Sequence, residues 1–103
     1  MIRGTTPTLL FNLPFQTSLI SNAEILLKYT DSNKTVLIEK TIDECELGDT
    51  TISTVLTQEE TLQLPAPTDV KIQLRILTTD GTVMATDIYR VSVKKLLKEG
   101  VIE

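Results

Sequence analysis

A chain of 103 residues with 41% hydrophobic and 23% charged side chains has the makeup of one folded domain and not of a disordered segment. Its formal charge of −4 removes the cationic footprint that nucleic-acid binding draws on, and its lack of any His removes the usual general base and the commonest zinc ligand. A single cysteine, Cys45, permits no intrachain disulfide, so the fold must stand on packing alone, as suits a reducing cytoplasm.

The opening MIRGTTPTLLFNLPF carries one Arg, but its apolar run is broken by Asn12 and Pro14. It therefore makes a poor signal peptide, and no stretch approaches the ~20 apolar residues needed to span a bilayer. Thr8 to Leu13 reads as a first short strand, closed by Pro14, which cannot donate to a ladder. Residues 15–22 form a connection anchored by Phe15, Leu19 and Ile20. Ala23 to Thr30 is the next strand, with Ile25, Leu27 and Tyr29 on one face. The turn chemistry of DSNK at 31–34 then leads into a returning strand, Thr35 to Thr41.

Residues 42–50, IDECELGDT, carry a turn at Gly48-Asp49, and Thr51 to Leu56 is another strand. TQEE at 57–60 matches a capping box: Thr57 accepts from the third helical N–H while Glu60 reaches back to the Thr57 N–H. One or two helical turns are expected there, with Leu62 and Leu64 under the sheet, ended by Pro65 and Pro67. The last hairpin, DVKIQLRILTTDGTVMATDIYRV, spans 69–91, and KKLLKEGVIE predicts a short helical turn stopped by Gly100.

The Asp80-Gly81 pair in that hairpin allows two registers. A two-residue turn sets Leu74 opposite Asp87, which places a carboxylate on the apolar face at a cost of several kcal/mol. A three-residue loop with a left-handed Gly81 instead pairs Thr78 with Thr82, Ile76 with Met84, Leu74 with Thr86 and Ile72 with Ile88. One face then reads Ile72, Leu74, Ile76, Met84 and Ile88, and the other Lys71, Gln73, Arg75, Asp87 and Tyr89. The hydrophobic pattern selects the second register. In all, about seven short strands with turn signals between them predict an all-β, antiparallel, immunoglobulin-like β-sandwich over residues 1–103, with one or two short helical turns. With no Trp, the immunoglobulin Cys…Trp…Cys signature is absent.

Candidate chemistry is sparse. Cys45 sits in DECE, where like charge raises a thiol's pKa and disfavours the thiolate nucleophile. Asp43, Glu44, Glu46 and Asp49 lack the alternating Asp/Asn spacing and turn glycine of a Ca²⁺ loop. Glu59 and Glu60 are adjacent, and the capping box already accounts for Glu60. No glycine-rich phosphate loop occurs. No cofactor, metal or small-molecule substrate is expected, and the chain reads as non-catalytic. The candidates for interaction are the apolar tail residues Leu96, Leu97, Val101 and Ile102, which either fold back on the sandwich or dock on a partner. The second candidate is the face formed by Lys71, Gln73, Arg75, Asp87 and Tyr89, whose plainer reading is a solvated outer sheet.

The stretches MIRGTTPTLLFNLPF, ISTVLTQEETLQL and IQLRILTTDGTVMATDIYRVSV make the chain resemble small phage- and prophage-encoded proteins of Firmicutes over nearly its whole length. The second half also resembles the immunoglobulin-like N-terminal domain of siphophage baseplate upper proteins. The parallel lies in the order strand (Ile52 to Leu56), Thr57–Glu60 turn, and final Asp-Gly hairpin. The resemblance supplies no catalytic residue. It implies a virion-associated structural protein of tail or baseplate, synthesised in the host cytoplasm and then carried in the particle, with other virion proteins or further copies of itself as partners. A phage-encoded module that binds a host protein through an exposed sheet face is the other expectation.

Overall fold

The computed structural model describes residues 1–103 and is a two-sheet antiparallel sandwich. Eight strands run in chain order: β1 (Thr8–Asn12), β2 (Ile20–Thr30), β3 (Thr35–Thr41), β4 (Glu46–Leu47), β5 (Thr51–Val55), β6 (Thr68–Thr78), β7 (Val83–Ala85) and β8 (Tyr89–Val93). One short helix, α1 (Gln58–Leu62), lies between β5 and β6. The smaller sheet has the order β1-β5-β4; the larger has β3-β2-β6-β7, with β8 also pairing β6.

Alternation builds the core. The inward positions of the larger sheet are Ala23, Ile25 and Leu27 of β2, Val36 and Ile38 of β3, and Val70, Ile72, Leu74 and Ile76 of β6, all buried. They meet Ile52 of β5, with Leu56, Leu64 and Val93 closing the ends and Leu9 and Phe11 half-buried beside them. Only two Phe and two Tyr are present, so branched aliphatic residues fill the interior. Every buried polar side chain is satisfied: Thr54 Oγ1 donates to the Glu44 carbonyl at 3.0 Å and Thr61 Oγ1 to the Thr5 carbonyl at 2.9 Å.

The turns form for the reasons their residues suggest. Asp31 Oδ1 accepts from the Asn33 and Lys34 N–H groups at 2.8 and 2.7 Å, so DSNK joins β2 to β3 as an Asx turn. The Thr57 capping box is present, with the Glu60 N–H on Thr57 Oγ1 at 3.1 Å and the Thr57 N–H on Glu60 Oε1 at 2.9 Å. A second box precedes the acidic segment. Thr41 precedes a 3-10 turn, Ile42–Glu44, and its N–H donates to Glu44 Oε1 at 3.1 Å. TIDE obeys the same T-x-x-E rule as TQEE.

Two expectations at the C-terminal end need correction. The last hairpin does take the three-residue loop: Gly81 has φ +88°, its N–H donates to the Thr78 carbonyl at 3.0 Å, and Ile76 pairs Met84. The Thr86 N–H likewise bonds the Leu74 carbonyl at 2.9 Å. Beyond it the register slips by one, and Ile72 faces Tyr89 instead of Ile88. A bulge over Thr86–Ile88 absorbs the extra residue, and side chains replace the lost ladder bonds. Thr86 Oγ1 accepts the Leu74 N–H at 3.1 Å, and Gln73 Nε2 donates to the Thr86 carbonyl at 2.8 Å. Secondly, KKLLKEG is not helical. Lys94 bridges Ile2 in parallel, with the Lys94 N–H on the Met1 carbonyl at 2.8 Å and the Arg3 N–H on the Lys94 carbonyl at 3.0 Å. A segment this short has too little intrinsic helicity to resist such tertiary bonds.

Candidate functional site

The outer face of the larger sheet is set by its registers. Glu24, Leu26 and Lys28 of β2 stand beside Arg75, Gln73 and Lys71 of β6, and Lys71 stands beside Arg90 of β8. Lys71, Gln73 and Arg75 therefore share this face as the alternation predicts. Asp87 lies exposed in the bulge. Tyr89 does not belong to the set. The one-residue slip turns it to the Ile72 side, where its ring lies 6.4 Å from that of Phe11 on the opposing sheet. Ile88 takes the outward role and is 58% exposed.

Charge is unevenly distributed over this face. At the end near the 3-10 turn, Arg75 pairs Glu24 at 3.2 Å, on the floor of an open groove of about 540 Å³ that Glu39, Thr41 and Val83 also line. At the other end Lys28, Lys71 and Arg90 form a continuous cross-strand row, and none of the three has an ion-pair partner within 4.0 Å. Lys28 and Arg90 escape sequence reading because they lie 43 and 19 residues from Lys71; only the β2-β6-β8 register brings them together.

The tail folds back yet leaves side chains outside. Gln58 on α1 clasps the Ile102 backbone in both directions, donating to its carbonyl at 3.0 Å and accepting from its N–H at 2.9 Å. The Arg3 guanidinium donates to the Leu64 carbonyl at 2.8 Å and the Leu62 carbonyl at 2.6 Å, and pairs with Glu99. Leu96 is half-buried against Leu62 and Gly4; a Cβ on Gly4 would come within 2.7 Å of Leu96. Leu97 and Ile102, by contrast, expose their side chains almost fully, and Val101 is 46% exposed.

The titratable groups with displaced pKa values belong to the framework. Lys40, inward on β3 and buried, reaches Glu60 at 2.7 Å and Glu44 at 3.8 Å. Burial pushes the Glu60 carboxyl up, but the bonds from Lys40 and Thr57 outweigh it and hold it below the ordinary glutamate value. The Asn33 N–H, then the Tyr29 hydroxyl, hold Asp31 low; the Thr78 hydroxyl, then the Thr82 N–H, do the same for Asp80. Burial, then the Glu44 charge, push the Cys45 thiol up, and Cys45 Sγ donates to the Thr41 carbonyl at 3.3 Å. Each of these groups closes a turn, a cap or a sheet corner. No three of His, Cys, Asp or Glu converge to hold an ion, the carboxylates of residues 43–49 included. No helix is long and apolar enough to cross a membrane.

Neither a protein-family model nor a curated protein matches the chain.

Proposed function

We propose that this is a non-catalytic structural protein of a phage particle, of tail or baseplate, that acts through protein–protein assembly. The observation that carries the assembly reading is where polar chemistry is spent. Every carboxylate with a displaced pKa serves a turn or a cap, while surface capable of contact is left over: the cation row on the outer sheet face and the exposed Leu97 and Ile102. The phage part rests on the resemblance of MIRGTTPTLLFNLPF, ISTVLTQEETLQL and IQLRILTTDGTVMATDIYRVSV to phage and prophage proteins. Mass spectrometry of gradient-purified virions tests the reading. Stoichiometric recovery of the chain supports it, and absence from particles of a lysate that contains the protein overturns it. Should it be absent, the cation row favours the second reading, a non-virion module that binds a host protein through the sheet face; pull-down from host lysate with the wild-type chain and a Lys71→Glu variant separates the two.

A further inference from the structure

Like charges at directly paired positions on one face of a sheet repel and destabilise it. Lys28, Lys71 and Arg90 occupy such positions on three adjacent strands, so they span about 10 Å at the ordinary strand spacing. Each is exposed, and none makes a side-chain hydrogen bond or an ion pair. A chain with four more acidic than basic side chains nonetheless leaves this row without an ion pair. One carboxylate, Asp69, lies beside it, in a hollow of about 450 Å³ that Lys28, Lys71, Tyr29, Thr30 and Thr68 complete. With Asp69 counted, the row still carries an excess of two positive charges and makes no ion pair.

The complementary charge on the same molecule lies off the opposite end of the β2-β3 ladder. The β2-β3 ladder runs from Thr30 opposite Thr35 at the Asx turn, near Lys28, to Glu24 opposite Thr41. Beyond Thr41 come Asp43, Glu46 and Asp49, three exposed carboxylates spaced three residues apart, with no side-chain hydrogen bond or ion pair among them. Glu44 differs, because it is held by Lys40 and Thr41. Within one copy no ion pair joins the cation row to the acidic loop.

We propose that the Lys28–Lys71–Arg90 row docks the acidic loop 43–49 of a second copy, head to tail. This rests on the assembly reading above and names its partner. Because the two surfaces differ, the contact is heterologous: each copy keeps one unsatisfied surface of each sign, and growth ends only in a ring or continues as a filament.

The test is charge swapping on the purified full chain, with mass followed by sedimentation velocity. The wild type self-associates at about 0.01 M salt and dissociates near 1 M, where the Debye length falls to about 3 Å. Lys28→Glu with Lys71→Glu weakens association roughly 100-fold, the scale of like-charge juxtaposition at an interface. Asp43→Lys with Glu46→Lys does the same. Mixing the two variants restores association, because each then supplies the surface the other needs. Reversal of Lys94, Lys95 and Lys98 leaves association unchanged. A wild type that stays monomeric at low salt overturns the inference, as does a mixture that fails to recover while both variants unfold like the wild type. Recovery of the chain from virions alongside a monomeric wild type would sink the head-to-tail contact and leave the particle role standing.

Discussion

The Glu60 carboxylate closes the α1 cap and neutralises the buried Lys40, so removing it should cost more than either role alone. The Lys40 side chain is 7% exposed and that of Glu60 21%. Stranding one member of a fully buried pair costs about 3–5 kcal/mol. Here Glu60 is partly wet, and Glu44 remains 3.8 Å from the ammonium as a reserve partner, which brings that cost to about 1–2 kcal/mol. Loss of the capping bond adds about 0.5–1 kcal/mol. Glu60→Ala should therefore destabilise by roughly 1.5–3 kcal/mol, equivalent to a Tm fall of about 4–8 °C for each kcal/mol in a domain of this size. Lys40→Met should cost about 1 kcal/mol, since it removes the buried charge along with its pairing. The double variant should then cost about 1 kcal/mol or more less than the sum of the singles, the signature of direct coupling. Equilibrium urea unfolding of the four proteins measures this cycle. A Glu60→Ala cost below about 0.5 kcal/mol, or additivity within that margin, would refute the reasoning.

The same carboxylate sets a pH dependence. Its folded pKa is depressed, so its contribution is present above the ordinary glutamate value near ~4.3 and is lost as pH falls through the folded value. Wild type and Glu60→Gln should thus converge in stability as pH is lowered towards 3, as chemical denaturation across pH will show. Leu74→Ala, at a site with no exposure, should cost about 2–5 kcal/mol, while Arg90→Ala on the outer face should stay within about 0.5 kcal/mol; thermal melts distinguish them. Gly81→Ala meets no atom within 4 Å but must hold φ +88°, so it should cost about 1–2 kcal/mol through the backbone alone, with Asn at the same position costing less. Cys45, its thiol pKa raised by burial and by Glu44, should react with a thiol reagent more slowly than an unfolded control at neutral pH.

Local rules made much of this fold legible. Alternation places Ile25, Leu27, Ile72, Leu74 and Ile76 inside, the Asx turn joins β2 to β3, and the Thr57 box starts α1, because each depends on a few neighbouring residues. The bulge at Thr86–Ile88 depends on how β8 meets the opposing sheet, where Tyr89 finds Phe11, and no local pattern encodes that. The helical turn expected in the tail fails for the same reason: Arg3 meets Glu99 and Gln58 meets Ile102, across separations of 96 and 44 residues. Of the candidate surface, Lys71 was visible as an outward position, but Lys28 and Arg90 join it only through pairing.

The bulge also gives the last hairpin one residue of spare length. Between the Ile76–Met84 and Ile72–Tyr89 pairs, β6 advances four residues while the return strand advances five. Deleting Asp87 would equalise the two spans. Thr86 would stay opposite Leu74, Ile88 would fall beside Gln73 on the outer face, and Tyr89 would still reach Ile72. Deleting Ala85 would instead carry Asp87 onto Leu74 and into the core. Two shortenings of identical size, two residues apart, thus divide into one that the sandwich absorbs and one that it cannot.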